Sequence, residues 1–400
     1  MNIKSFKDSA GKRINYDGYY SGKAHHVGLE YQLIDDNNHK IEELPETFEL
    51  EYVGAFPIYH DEFNAFDFKG FIANNGKTFR ATEQSKWYPV IYDSIGDRYV
   101  DSYAYKLEIE GAHCTSIFVN GAAPKQGESN TFSSTKAVPL FLFAGDFDFL
   151  SIAGNYIINS DIPFERARLL IAEVEDIKSI YASNLGIEYT DSIYLINHEP
   201  VDQMPEGSHW GFNVYPAFGF AGIDFKDLLS EKGKLRPKYV ELFGHELAHN
   251  YFLTNVMSGT LFWFWLESCA DYLSFDVVEK RCGQTYLHKK LLAYIHEIND
   301  VEFPPLEEIE SSSQITETYR YYLGPLLLKC FELRFGFKKT YQVLRSLLVL
   351  SEKKTLTIDE WAKVSQQEIS QKEFEEFRKD YLSNGRFKEK IILEIKNYCQ

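Results

Sequence analysis

The sequence predicts an α+β protein, with an N-terminal β-sandwich domain followed by a mostly helical domain. Three observations carry that prediction. Short β-branched and aromatic runs, punctuated by Gly, Asp and Asn, fill roughly the first 150 residues. Apolar positions at helical spacing dominate the remainder. Between the two lies "SDIP" (160–163), where the texture changes. A chain of 400 residues exceeds one ordinary core, so two domains are expected, at 1–160 and 161–400.

In chain order, "VGLEYQLID", "ETFELEYVG", "KWYPVIYD", "SYAYKLEIEG" and "TSIFVNG" read as strands. Alternation is clearest in "YAYKLEIE" (103–110), which sets Tyr103, Tyr105, Leu107 and Ile109 on one face. "VPLFLFAGDFDFLSIAGNYIIN" (138–159) supplies the last long strands of this half. "IPFERARLLIAEVEDIKSIYASNLG" (162–186) then has helical spacing and ends on a glycine of the kind that stops helices. "SIYLINH" (192–198) reads as a buried strand. The stretch to Gln400 is mostly helical in period, with no internal repeat and no low-complexity tract.

Composition narrows the function classes. The chain is 44% apolar, 25% charged and 16% aromatic, which suits folded cores rather than disorder. A formal charge of −17 argues against nucleic acid, whose phosphates require clustered Lys and Arg. Solubility explains most of that acidity, and a weak preference for cationic ligands is the sharper alternative. Five scattered cysteines without a Cys-x-x-Cys pair suit a reducing compartment. The start, "MNIKSFKDSAGKRINYDG", has no apolar h-region, and the most apolar run, "GTLFWFWL" (259–266), is far short of a bilayer span. A cytoplasmic protein without membrane insertion is therefore expected.

The chemistry concentrates in "ELFGHELAHNYF" (241–252). His245 and His249 are four apart, so on a helix they share a face and both imidazoles reach one Zn²⁺. Glu246, about 100° further round, is set toward a water beside that ion. The plainer alternative is a surface helix that happens to carry two histidines. A catalytic zinc needs a third protein ligand, and seventeen residues separate His249 from Glu267 in "FWFWLESCADYLSFDVVEK". A carboxylate amid such apolar neighbours is costly to bury unless paired or metal-bound. Asp271, one turn further, suits a hydrogen bond from the far ring nitrogen of a ligating histidine, or is simply a solvated helix charge.

"HELAHNYF" with "WLESCADYLS" resembles the gluzincin metallopeptidases, in particular the aminopeptidase N-like family with its thermolysin-like catalytic domain. That family's pattern is His-Glu-x-x-His, eighteen residues, then Glu, preceded by Trp-Leu-Asn and followed by Gly-x-Ala-x-Tyr. Here Trp265 and Leu266 abut the glutamate without the Asn, Ser268 replaces the Gly, Ala270 and Tyr272 match, and the spacing is one residue shorter. The resemblance implies zinc held by His245, His249 and Glu267, with Glu246 as general base. It also implies Tyr321 of "YRYYLG" as the transition-state tyrosine, by alignment with Tyr-Glu-Lys-Gly, with Tyr319 and Tyr322 as fallbacks. The implied activity is zinc-dependent hydrolysis of peptide or protein substrates. A non-catalytic zinc- or peptide-binding scaffold of the same fold is the alternative.

One departure concerns substrate. The family's Gly-x-Met-Glu-Asn, whose glutamate grips a free amine, is sought in "YPAFGFAGIDF". Aligning Gly219 with the motif glycine makes Gly219, Phe220, Ala221 and Gly222 the expected substrate-binding edge strand, with Gly222 where the glutamate belongs. Glu206 or Asp224 are the candidate substitutes.

Overall fold

The structure, a computed structural model, describes residues 2–19, 30–41, 43–54, 72–93, 98–199, 210–252 and 259–400. Strands come first: β1 (Asn2–Asp8), β2 (Asn15–Tyr19), β3 (Glu30–Ile34), β4 (Phe48–Val53), β5 (Ile72–Asn74) and β6 (Thr78–Ala81). They continue as β7 (Ile91–Asp93), β8 (Arg98–Val100), β9 (Ser102–Glu110), β10 (Ser116–Val119), β11 (Lys125–Gln126), β12 (Ser129–Pro139) and β13 (Leu142–Gly145). β14 (Phe149–Ile152), β15 (Asn155–Ile158), β16 (Tyr194–His198), β17 (Trp210–Val214) and β18 (Ala217–Ala221) complete the set.

The β-rich part is layered. β9 pairs with β12 as a long antiparallel ribbon, while β11-β10-β13-β6-β5 form a second sheet. Tyr103, Tyr105, Leu107 and Ile109 turn to one side of β9, as their alternation requires, and pack with Ile117, Val119, Phe132 and Leu140 between the layers. β1–β4 close over a smaller core of Phe6, Ile14 and Leu33.

A third sheet, ordered β14-β15-β16-β18-β17, positions the site. β15, β16 and β18 run parallel, and β14 and β17 are antiparallel to their neighbours at the two ends. Because β14 and β15 hydrogen-bond into this sheet, the change of sheet falls between Gly145 and Phe149, ahead of the texture change at 160–163. Both faces are covered, which is why "YLINH" and "AFGFA" are apolar without alternation. Tyr194, Ile196 and Ala217 face Phe118 and Phe143 of the second sheet and Phe141 just ahead of β13. Leu195, Phe218 and Phe220 face the helices.

The first helix, α1 (Phe164–Leu185), buries Ala167, Leu170, Ile171, Val174, Ile177, Tyr181 and Leu185 along one stripe. Gly186 ends it in the left-handed conformation, with φ at 63° and its N–H bonded to the Ala182 carbonyl. α2 (Pro237–Ala248) carries the histidine pair, with Pro237 in its first turn. α3 (Cys269–Cys282), α4 (Gln284–Ile298) and α5 (Gly324–Phe335) pack around it. α6 (Phe337–Ser351), α7 (Ile358–Ser365), α8 (Gln371–Phe377) and α9 (Phe387–Tyr398) complete the helical part.

The five cysteines are unpaired. Among the described residues, no helix is long and apolar enough to cross a membrane.

Candidate metal centre and cleft

α2 delivers its last turn into the middle of the helical core. Tyr239, Val240, Phe243 and Leu247 bury one side of it. Gly244 lets it lie against α3, since a Cβ there would sit 3.2 Å from Cβ of Ser274, and the Tyr181 hydroxyl from α1 donates to the Gly244 carbonyl at 2.5 Å. His245 and His249 end up side by side, ring planes at 88° and Nε2 atoms 3.1 Å apart.

Glu267 arrives from a wider turn. Residues Phe264–Ser268 make one turn with an i→i+5 bond, from the Cys269 N–H to the Phe264 carbonyl, before α3 begins. Such a turn adds a residue and rotates what precedes it, a device common at functional sites. It places Glu267 Oε2 3.3 Å from His245 Nε2 and 3.4 Å from His249 Nε2.

These three atoms are a fit for zinc. Tetrahedral bonds of 2.0–2.1 Å require ligand–ligand edges of roughly 3.3–3.4 Å, and the observed edges are 3.1, 3.3 and 3.4 Å. Two imidazole nitrogens and a carboxylate oxygen turned on one another, all largely buried, form a group that could hold a metal ion. Among the described residues Glu267 Oε2 has no hydrogen-bond partner, although it is buried. Burial opposes charge on His245, but Asp271 and Glu267 outweigh it and push its pKa up to about 10. Burial likewise works against the Glu267 carboxylate, and His249 and His245 pull it well below the usual range. The attraction that holds a proton here is equally available to a divalent ion.

Asp271 sits behind His245, its Oδ1 3.6 Å from the ring Nδ1. It is buried, accepts a hydrogen bond from Tyr294 at 2.6 Å and lies 3.9 Å from Lys290. Lys290 also binds Glu241 at 2.7 Å, and Tyr286 donates to the same carboxylate at 2.6 Å. Tyr286, Lys290 and Tyr294 share one face of α4, an aromatic and cationic stripe that the sequence reading passed over. Burial raises the Asp271 pKa, but Lys290, His245 and Tyr294 bring it below the ordinary value. Asp271→Asn is expected to weaken zinc binding roughly 10- to 100-fold by loosening His245. Competition with a zinc chelator of known affinity measures it.

Glu246 is buried beside the triad, opposite β17. Gly211 makes that approach possible, because a Cβ there would meet Glu246 Oε1 at 2.7 Å. Asn213, two residues along the same face, donates to the Glu246 carbonyl at 2.8 Å and to Asn250 at 3.0 Å, so strand and helix end are tied together. Burial raises the Glu246 pKa and Glu267 adds to it, against the lowering influence of the two histidines.

Of the three tyrosines, Tyr321 faces the triad, its ring 6.0 Å from that of His245. Tyr319 is fully buried against Phe303, and Tyr322 packs on Tyr294. All three lie in a second i→i+5 turn, Tyr319–Leu323, where the Gly324 N–H reaches the Tyr319 carbonyl. Ser268 joins the two wide turns, its hydroxyl donating to the Arg320 carbonyl at 2.8 Å. Gly324 leaves it room, since a Cβ there would be 2.1 Å from Ser268 Oγ.

The expected edge strand is corrected. Gly219, Phe220 and Ala221 lie on β18, between β16 and β17, so both edges of its backbone are already paired. Gly219 is a glycine because the Phe212 ring lies across it, 2.0 Å from where a Cβ would be. Gly222 follows in an exposed turn with φ at 73°. Asp224 caps a short turn, accepting from the Lys226 N–H at 2.8 Å. Glu206 lies outside the described residues. Among the described residues, the strand at the end of the sheet next to Glu246 is β17, "WGFNV", which carries no carboxylate.

No family model matches the sequence. No curated protein matches it either. Solved structures do match in fold. A variant of an M1 zinc metallopeptidase from Deinococcus radiodurans, bound to a Tyr-Ser-Ala substrate, superposes with a TM-score of 0.63 at 13% identity, over 96% of this chain and 84% of that one. Native yeast LTA4 hydrolase gives a TM-score of 0.66 at 14% identity, over 95% of this chain. This chain spans 60% of the yeast enzyme's length. The shared architecture is a sheet-rich N-terminal region followed by a helical C-terminal one.

Proposed function

We propose that this chain is a zinc-dependent peptidase of the gluzincin, aminopeptidase N-like kind. The observation that carries the reading is the His245–His249–Glu267 triangle, with its tetrahedral edge lengths, flanked by Glu246 on one side and Tyr321 on the other. The fold likeness to zinc peptidases supports it.

When bound, zinc supplies Lewis-acid activation of a water molecule and of the scissile carbonyl. His245, His249 and Glu267 would hold it, and Asp271 would fix the His245 ring. β17 aligns an extended substrate by antiparallel backbone pairing at the sheet's end. Glu246 accepts a proton from the attacking water at its carboxylate and returns it to the departing amine. Tyr321 keeps its proton, because burial and the nearby Glu267 raise its pKa. Its hydroxyl therefore donates to the carbonyl oxygen as negative charge develops there, a contact stronger in the transition state than in the substrate. With no carboxylate on β17, an α-ammonium group has no partner on that strand, so recognition by this strand rests on backbone rather than on a free amine.

The test is stoichiometric zinc in the purified protein together with peptide cleavage that a chelator abolishes and zinc restores. Bound zinc without cleavage of any peptide would favour the scaffold. Tyr321→Phe is expected to lower kcat roughly 10²- to 10³-fold with KM little changed, as removal of one oxyanion donor does elsewhere. Steady-state kinetics on one peptide reads both constants.

A further inference from the structure

Arg320 is not used by the mechanism above, yet it stands next to it. Its guanidinium lies over the Trp263 ring at 4.1 Å and over the Tyr321 ring at 5.1 Å. Its backbone is held by the Ser268 hydroxyl, one residue from Glu267. Two aromatic rings occupy the faces of a guanidinium and leave its N–H edge for planar acceptors. That edge is under-used. The Nε is buried and has no hydrogen-bond partner among the described residues. Among the described residues its ion-pair partner is Glu317, a single 3.3 Å contact to a carboxylate that is 73% exposed. Such a surface pair contributes little and is readily exchanged for another carboxylate.

Resting on the peptidase reading, we propose that Arg320, held against Trp263 and Tyr321, recognises a substrate carboxylate close to the scissile bond. The Tyr321 ring is a shared neighbour, 5.1 Å from the Arg320 guanidinium and 6.0 Å from the His245 ring. An extended peptide advances roughly 3.3–3.6 Å per residue, so a carboxylate on Arg320 lies about one or two residues from the bond being cut. The planar fork takes a carboxylate through paired N–H donors, which the Glu317 contact does not satisfy. The overall field of a chain with charge −17 works against anionic ligands, so any carboxylate preference is local to this arginine. The carboxylate is either a free C-terminus or an Asp or Glu side chain.

The experiment measures equilibrium binding to the zinc-loaded Glu246→Gln protein, where peptide is retained, with and without Arg320→Met. Three N-acetylated peptides of one length are compared: a neutral C-terminal amide, the same peptide with a free C-terminal acid, and the amide with one Glu. One of the two acids is expected to bind on the order of tenfold more tightly than the neutral amide, with the preference collapsing in Arg320→Met. Preference for the free acid assigns a C-terminus, and preference for the Glu peptide assigns an acidic side chain. Equal affinities for all three peptides would overturn the proposal, as would a preference that survives Arg320→Met. A packing role alone moves all the Kd values together and leaves their ratio unchanged, which also overturns it. Failure of the peptidase reading is seen separately, as zinc-loaded wild type that cleaves no peptide.

Discussion

Glu246→Gln is expected to leave a folded, zinc-loaded protein whose peptide cleavage is roughly 10²- to 10⁴-fold slower. The exchange is nearly isosteric, which matters because Glu246 is buried and closely faced by Gly211. The amide accepts no proton at working pH, so the water loses its base while the three candidate ligands stay in place. The pH profile carries a second readout. The Glu246 pKa is raised by burial, so the residue takes up a proton at a higher pH than an ordinary glutamate does. Activity of the wild type should therefore fall as pH drops through the Glu246 pKa, giving an acidic limb of kcat/KM. The residual activity of Glu246→Gln should lack this limb. A Gln variant with full activity and stoichiometric zinc, measured by metal analysis and peptide kinetics, removes Glu246 from the mechanism.

The centre of the candidate site was legible because its residues are local or repeat with the helical period. His245, Glu246 and His249 follow from their spacing on one helix, Glu267 from a carboxylate set among apolar residues, and Asp271 from its place one turn further on. α1, β9 and β16 were legible for the same reason, their periods being unbroken. The substrate strand was not. "WGFNV" and "AFGFA" are both short, apolar and glycine-bearing, and which of them lies at the end of the sheet depends on β16, which pairs with β18. Nothing in either segment records that distant partner. The glycine pair misled further, since Gly219 serves the Phe212 ring while Gly211 is the one facing Glu246. The two wide turns were also invisible, because an inserted residue shifts the helical phase without changing composition. Arg320 belongs to the same class, since its contacts with Trp263 and its link to Ser268 cross between those turns.

Glu267→Ala should have the largest effect on the metal itself. Its Oε2 is the one oxygen in the triangle and lies within 3.4 Å of both imidazole nitrogens. Removing it leaves two nitrogens for an ion that in catalytic sites takes three protein ligands. The loss should exceed the roughly 10- to 100-fold expected when only an outer partner such as Asp271 is changed. After dialysis the variant is expected to hold no stoichiometric zinc and to show no detectable cleavage. Thermal unfolding separates this from general damage. A ligand that binds only the folded state at a hundredfold excess over its Kd stabilises it by about 2.7 kcal/mol. Added zinc should therefore raise the Tm of wild type and of Glu246→Gln but not that of Glu267→Ala. The apo proteins should also differ, because the share of the His245 pKa elevation that Glu267 adds to that of Asp271 disappears with the side chain. His245 should then titrate lower in the variant, followed by its ring protons in NMR. A Glu267→Ala protein that keeps stoichiometric zinc and activity would mean that the third ligand lies elsewhere.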